Sequence, residues 1–343
     1  MLEKILLGTY TKRESKGIYE ISLDTEKKEL VNFKPVITET NPTYVGIASD
    51  NHLYSMTIVD GNGGMAAYKP EPNGGYSLLN AVTEEGAPPC YVGIDNDKRL
   101  VFGANYHKGQ VLAYRVQEDG TIQLVDKIQH EGSGPHDNQK GPHAHYTDLT
   151  PDKRLVACDL GTDGVYTYDI AADGKLTEVA VYQATPGTGP RHLVFHPNGE
   201  IAYLFGELAN TVVTLSYDAT TGKFETLQTI STIPADFTDF NGGAAIRISQ
   251  DGKFVYASNR GHDSIAVFKT IDGGKALELV QLISSEGHIP RDFALNSTDE
   301  FVVVAHQESD NLTLFSRDSE TGQLTLIQKD VYAPECVCTY FVK

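Results

Sequence analysis

Along most of this chain, short apolar runs alternate with polar turn residues at a spacing too brief for helices. Tyr44-Val45-Gly46-Ile47, Tyr91-Val92-Gly93-Ile94, His192-Leu193-Val194-Phe195, Ala245-Ile246-Arg247-Ile248 and Asp292-Phe293-Ala294-Leu295 each lead into an Asp/Asn/Gly turn and a second apolar run. Further runs follow, as in Gln110-Val111-Leu112-Ala113-Tyr114 and Gly120-Thr121-Ile122-Gln123-Leu124-Val125. No stretch sustains the 3.6-residue period of an amphipathic helix, so the pattern predicts strands throughout. Four short strands per unit, punctuated by Gly, Asp and Asn, form the signature of a propeller blade.

Aligning the turns puts Thr43, Cys90, His145, Arg191, Ala244 and Arg291 in one register, at steps of 47, 55, 46, 53 and 47 residues. That makes six units. Residues 4 to 39 supply three more strands but no innermost one, while the last apolar run, Cys336 to Val342, is a single strand with nothing after it. The two remnants complete each other. We therefore expect an all-β, seven-bladed β-propeller whose C-terminal strand completes the N-terminal blade and closes the ring, which leaves only short sheet edges. Dividing 343 residues among seven blades gives about 49 each, so residues 1–343 are read as a single domain.

The charge changes what partners are plausible. With 28 basic and 46 acidic residues the chain carries a net charge of −18, a surface that repels nucleic acid and anionic lipid. No window reaches the roughly 20 apolar residues of a membrane span, and no leader precedes Ile5-Leu6-Leu7, so a cytoplasmic protein without membrane or nucleic-acid partners is expected. Cys90, Cys158, Cys336 and Cys338 are read as reduced core residues rather than a disulfide framework. Oligomeric state leaves no mark on the sequence.

In a propeller, equivalent first positions of the innermost strands ring one mouth of the central channel. That ring reads Thr43, Cys90, His145, Arg191, Ala244, Arg291 and, in the last strand, Glu335. Sixteen residues further on, the second strand returns to the same mouth with Val59, Tyr106, Gly161, Glu207, Arg260 and Gln307. Reflection about the turn at Asn198-Gly199 sets Glu207 opposite Arg191, and the matching turn sets Gln307 opposite Arg291. An acidic chain thus presents a basic, anion-binding mouth with one carboxylate and one imidazole. The longer steps place insertions at Ser133 to Lys140 and Ala235 to Phe240 beside this mouth, where loops over a rigid scaffold build binding surfaces.

Other features read as structure. Asn105 and His107 could line the channel, but such residues more often satisfy strand ends. His143, His145, His136 and Asp137 make an incomplete zinc-like set beside repelling arginines, so no metal is expected. No Gly-x-Ser-x-Gly elbow is present, which argues against a serine esterase.

Gly141-Pro142-His143-Ala144-His145, Gly189-Pro190-Arg191-His192, Gly206-Glu207-Leu208-Ala209-Asn210, Ser258-Asn259-Arg260-Gly261 and Ile289-Pro290-Arg291-Asp292-Phe293 occur in order along the whole chain. Together they resemble the motifs of the seven-bladed lactonase family, which includes propeller-type 6-phosphogluconolactonases and fungal carboxy-muconate cyclases. The resemblance implies hydrolysis of a small anionic sugar lactone, foremost 6-phosphoglucono-1,5-lactone of the pentose phosphate pathway, without cofactor or metal. It implies His145, Arg191 and Glu207 as catalytic residues, and Arg260, Arg291 and Gln307 as substrate-binding neighbours. Within that frame Glu207 is expected to activate water, Arg191 and His145 to stabilise the oxyanion or protonate the departing ring oxygen, and Arg260 and Arg291 to hold a phosphate. A muconate-type cyclase, a lactonase for another small anion and a non-catalytic metabolite- or protein-binding propeller remain the alternatives.

Overall fold

The apolar runs of the sequence become 28 strands in seven four-stranded antiparallel sheets in the computed structural model, which describes residues 1–72 and 74–342. This is the expected seven-bladed all-β propeller. The one helical turn among the described residues is Asp272–Gly274. With blades numbered from the N terminus, blade 1 is built from Leu2–Thr9, Gly17–Asp24 and Glu29–Thr38, with Cys336–Phe341 as its innermost strand. Ile5 opposite Phe341 and Leu7 opposite Thr339 set the closing register.

Each sheet is too thin to bury its own faces, so the core lies between blades. Phe102, Tyr168 and Leu204, from blades 3, 4 and 5, share one buried cluster, and Ile5, Leu7 and Val303 join blade 1 to blade 7 in another. Side-chain amides staple neighbouring blades at their outer strands. Asn80 donates to the carbonyl of Ile122 and accepts its N–H, and Gln228 with Leu277 and Gln281 with Leu324 repeat the reciprocal pair. In blades 2 to 7 the outermost strand slips register by one residue just before this position, at Leu79, Val125, Val179, Leu227, Val280 and Ile327. Such bulges twist an exposed edge away from pairing with a second sheet.

Bulges on the innermost strands shape the channel mouth. In blades 4, 5, 7 and 1 one extra residue is inserted at His145, Arg191, Arg291 and Val337, so that two consecutive residues face one partner. The entry to three of these bulges is the same. Gly189, Ile289 and Glu335, two residues before the bulge, all take a left-handed φ of 63°, 61° and 51°. Their N–H groups donate to Asp163, Asp263 and Asp310, and their carbonyls accept from Glu207, Gln307 and Tyr10.

This corrects the register read for the last strand. Glu335 is the equivalent of Gly189 and Ile289, and Val337 is the residue that stands where Arg191 and Arg291 stand. Glu335 is 1% exposed, and its carboxylate accepts the N–H groups of Lys12, Arg13 and Ser15, clasping the first hairpin of blade 1 to the closing strand.

One step further along the same strands, Tyr44, Tyr91, Tyr146 and His192 pack across the channel. Ring centroids lie 4.2 Å apart for Tyr44 and Tyr91, 4.7 Å for Tyr91 and Tyr146, and 5.2 Å for Tyr91 and His192. This aromatic layer forms a floor. On it, Asp292 is anchored by Arg247 at 2.6 Å and by the Thr339 N–H at 2.8 Å.

Candidate active site

Above the floor lies a cavity of about 620 Å³, lined in part by His145, Glu207, Arg260 and Arg291. A second space of about 30 Å³, bordered by Arg191, His192, His145 and Arg291, lies beneath it. Five of the six residues anticipated from sequence therefore converge. Gln307 is set back. It accepts a long 3.4 Å hydrogen bond from Arg291 and turns its own amide to Glu308, away from the cavity.

Glu207 is the hub. It follows the second strand of blade 5, Ile201–Gly206, and is fixed by its N–H on Gly189 and its carbonyl under the Gly243 N–H. Arg191 Nε and Arg260 Nη2 each lie 2.9 Å from Glu207 Oε2. The Arg191 contact is an ion pair without hydrogen-bond alignment, since the same Nε–H finds no acceptor. No hydrogen bond to Oε1 is made among the described residues, which leaves that oxygen for a ligand. Arg260 is held flat over the backbone, donating to the carbonyls of Gly242 at 3.3 Å and Gly243 at 2.8 Å. A Cβ on Gly243 would come within 2.7 Å of the Phe205 ring, so the absence of a side chain here makes room for that ring.

The electrostatics follow from this packing. Burial alone raises the Glu207 pKa, but Arg260, Arg191 and Arg291 together outweigh it and hold the carboxyl below its ordinary range. It is ionised at neutral pH. Burial, and then the charges of Arg191, Arg291 and Arg260, push His145 well below the usual imidazole value, so His145 is neutral. Its Nδ1 is buried without a partner. Burial and repulsion by Arg260 bring Arg191 down to about 9, still a cation at neutral pH. Three arginines thus face one carboxylate, and the mouth is net positive inside an acidic protein.

A neutral His145 narrows the role expected of it. An imidazole held uncharged donates one N–H and accepts at the other nitrogen; it does not arrive as a cationic acid for the departing oxygen.

Of the far wall, only Thr43, Cys90 and Tyr106 were placed at this mouth from sequence. Tyr10 and Lys12 enter from the first hairpin of blade 1, Asn41 and Thr43 from the approach to blade 2, and Gly86 to Cys90 from the approach to blade 3. Tyr106 stacks on His143 at 4.3 Å, and burial, then the charge of Glu207, raises its phenol to about 12, so it stays protonated. Cys90 also lines the cavity, with a thiol raised to about 11 by burial, which makes it no nucleophile. Asn105 does satisfy a strand end, bonding Ala87 and Lys108, whereas His107 lines the cavity.

The two insertions do not. Residues 133–140 are pinned by the buried Gln139, which binds His136 and Leu160, and in 235–240 Phe237 packs on His262 while Phe240 is 73% exposed. The cavity leans away from both loops, towards blades 1 to 3. His143 Nδ1 bonds Tyr106 O and His136 Nδ1 accepts from Asn138, so the zinc-like set is dispersed. Among the described residues no three His, Cys, Asp or Glu side chains converge as metal ligands. Among them, too, no helix is long and apolar enough to cross a membrane.

Comparison with known proteins agrees with the motif order. Residues 4–341 match the family described as "Lactonase, 7-bladed beta-propeller". The 6-phosphogluconolactonase of Bacillus subtilis is 47% identical over 340 residues, covering 98% of this chain and 97% of its own. A crystal structure of a Lactobacillus plantarum protein superposes with a TM-score of 0.98 at 48% identity, over the full length of both chains. The periplasmic gluconolactonase of Pseudomonas aeruginosa superposes with a TM-score of 0.94 at 32% identity, covering 100% of this chain and 99% of its own. On the blade count, the ordered motifs and this full-length similarity, the chain belongs to the seven-bladed β-propeller lactonase family.

Proposed function

We propose that this protein hydrolyses a phosphorylated sugar lactone, 6-phosphoglucono-1,5-lactone, to 6-phosphogluconate in the cytoplasm, as a step of the pentose phosphate pathway. The observation that carries the reading is the cluster of Arg191, Arg260 and Arg291 around Glu207 at a cavity large enough for a sugar phosphate. The B. subtilis relative, by its name, supports the same substrate.

In this reading a water at Glu207 Oε1 attacks the lactone carbonyl carbon while the carboxylate takes its proton. Arg260 and the N–H of neutral His145 stabilise the oxyanion, where fixed donors in a partly dry site act most strongly. The C–O bond of the ring then breaks. The proton held on Glu207 passes to the departing oxygen, which yields the open-chain acid and restores the carboxylate. Arg191, beneath the carboxylate, orients it and keeps it ionised.

The direct test is turnover of 6-phosphoglucono-1,5-lactone and of glucono-1,5-lactone by the purified protein with EDTA present, spontaneous hydrolysis subtracted. A higher kcat/KM for the phosphorylated lactone is expected. Preference for the unphosphorylated sugar would favour the activity named for the P. aeruginosa neighbour, and inactivity on both would return the question to muconate-type acids or a binding role.

A further inference from the structure

The basic character of the cavity is not confined to the arginines around Glu207. Lys12 Nζ lies 4.2 Å from the centroid of the Tyr10 ring, and the Arg291 guanidinium carbon lies 5.8 Å from the same centroid. All three residues line the cavity. Neither cation, exposed Lys12 or half-buried Arg291, has a carboxylate partner among the described residues, although the chain holds 46 acidic residues.

Donor accounting separates these two from Arg260. Arg260 spends Nε and Nη2 on Gly242, Gly243 and Glu207. Among the described residues Arg291 gives up only the 3.4 Å contact to Gln307, and the Lys12 ammonium makes no hydrogen bond. Two like charges gathered on one aromatic ring, with their donors uncommitted, suit a dianion with several acceptor oxygens.

The backbone holds Lys12 ready. Its N–H donates to Glu335 at 2.8 Å, the next residue's N–H donates to the same carboxylate, and the Arg13 side chain is tied to Glu308 and Asp310. The clasp that closes the propeller ring therefore also presents Lys12 to the cavity, at low entropic cost to binding.

We propose that Lys12 and Arg291, gathered on Tyr10, form a phosphate subsite, and that Lys12 is the residue that sets preference for a phosphorylated over an unphosphorylated lactone. The assignment rests on the lactonase reading for its substrate, but not for its ligand chemistry. Arg260 keeps its place beside the carboxylate and the reacting carbonyl, while the phosphate sits further round the mouth, between blades 7 and 1. Lys12 also contributes, after burial and His143, to holding the His107 imidazole below its ordinary pKa, which agrees with a locally unbalanced positive potential on that side.

The test uses Lys12→Met in the full-length protein, a change of an exposed side chain that leaves the Glu335 clasp intact. Calorimetric titration with inorganic phosphate and with 6-phosphogluconate should show binding to the parent, weakened about tenfold to a hundredfold in the variant, the range for one charge-assisted contact. The ratio of kcat/KM for the phosphorylated over the unphosphorylated lactone should fall by a similar factor, and Lys12→Arg should restore most of both. Unchanged phosphate binding in Lys12→Met, or no phosphate binding by the parent, would overturn the subsite. A parent that binds phosphate through Lys12 yet hydrolyses neither lactone would uphold the subsite and sink the lactonase reading, so the two failures are distinguishable.

Discussion

Two buried histidines fifteen positions apart, His130 and His145, show how similar residue types serve opposite ends. His130 donates or accepts at both ring nitrogens, 2.7 Å from Asp159 Oδ2 and 2.7 Å from the Tyr168 hydroxyl, and its ring stacks on Tyr166 at 3.9 Å. Asp159 Oδ1 takes the N–H groups of His143, Gly161 and Thr162. Every polar atom of that group has a partner. His145, by contrast, leaves Nδ1 unpartnered beside a carboxylate with an uncommitted oxygen and three arginines. A satisfied buried network specifies structure, and an unsatisfied one stores reactivity for a ligand to use. The two are coupled, because Asp159 holds the backbone of His143 at the entry to the strand that carries His145.

Breaking the closed network should have the largest effect. Asp159→Ala leaves His130 Nδ1 and three N–H groups without their acceptor in a fully buried site, and we expect a loss of about 3–5 kcal/mol in unfolding free energy, read by denaturant titration. A variant within 1 kcal/mol of the parent would mean that water replaces the carboxylate and that the network is not what fixes this blade.

The open cluster should respond in kcat instead. Glu207→Gln keeps the shape and removes the basicity, so kcat should fall by roughly 10²-fold or more with KM nearly unchanged. Its stability should change less than that of Asp159→Ala, since the amide keeps an acceptor oxygen within reach of Arg191 and Arg260. Full activity would assign Glu207 to holding the arginines and require another base.

The difference between these regions also decides what could be read from sequence. The ring of His145, Arg191 and Arg291 was legible because each unit repeats at a near-constant step, and the pairs Arg191–Glu207 and Arg291–Gln307 followed from reflecting each hairpin about its turn. The bulges were not legible, and in the last strand Pro334-Glu335 imitates the Pro-Arg order of Pro190-Arg191 and Pro290-Arg291 although the bulge falls two positions later, at Val337. Tyr10 and Lys12 come from the incomplete N-terminal unit, where no repeat gave a register. Asp159 and Tyr168 lie 29 and 38 residues beyond His130, and nothing local marks them as partners. Long-range polar satisfaction is set by tertiary packing, not by periodicity.

The same substitution at the two histidines sharpens the comparison at a smaller scale. His130→Gln should lower stability by about 1–3 kcal/mol, as expected for a buried group deprived of partners, while kcat per folded molecule stays within a few-fold of the parent. His145→Gln should do the reverse, lowering kcat by about tenfold or more for loss of an oxyanion donor with Tm nearly unchanged. Thermal melts and lactone turnover on both variants check this. Matching losses of Tm would make His145 another structural histidine.

The smallest effect is a pH slope, and its sign follows from protonation. Burial, aided by the arginines, keeps His145 and His192 well below the ordinary imidazole pKa, and burial lowers His306 to about 4. In the unfolded chain these groups bind protons near the ordinary value of about 6.5, so below that pH the unfolded state takes up more protons than the folded one. The stability they contribute is complete above about pH 6.5 and is lost as pH falls towards their folded values, by up to about 1.4 kcal/mol per pH unit for each group. His145→Gln removes one such group and should flatten the dependence of unfolding free energy on pH between 6.5 and 5 by about one proton's worth. The acid limb of kcat/KM lies lower, below the ordinary carboxylate range, because Glu207 stays ionised there. An unchanged slope in His145→Gln would mean that His145 titrates alike in both states, and that its imidazole is not held neutral by the arginine cluster.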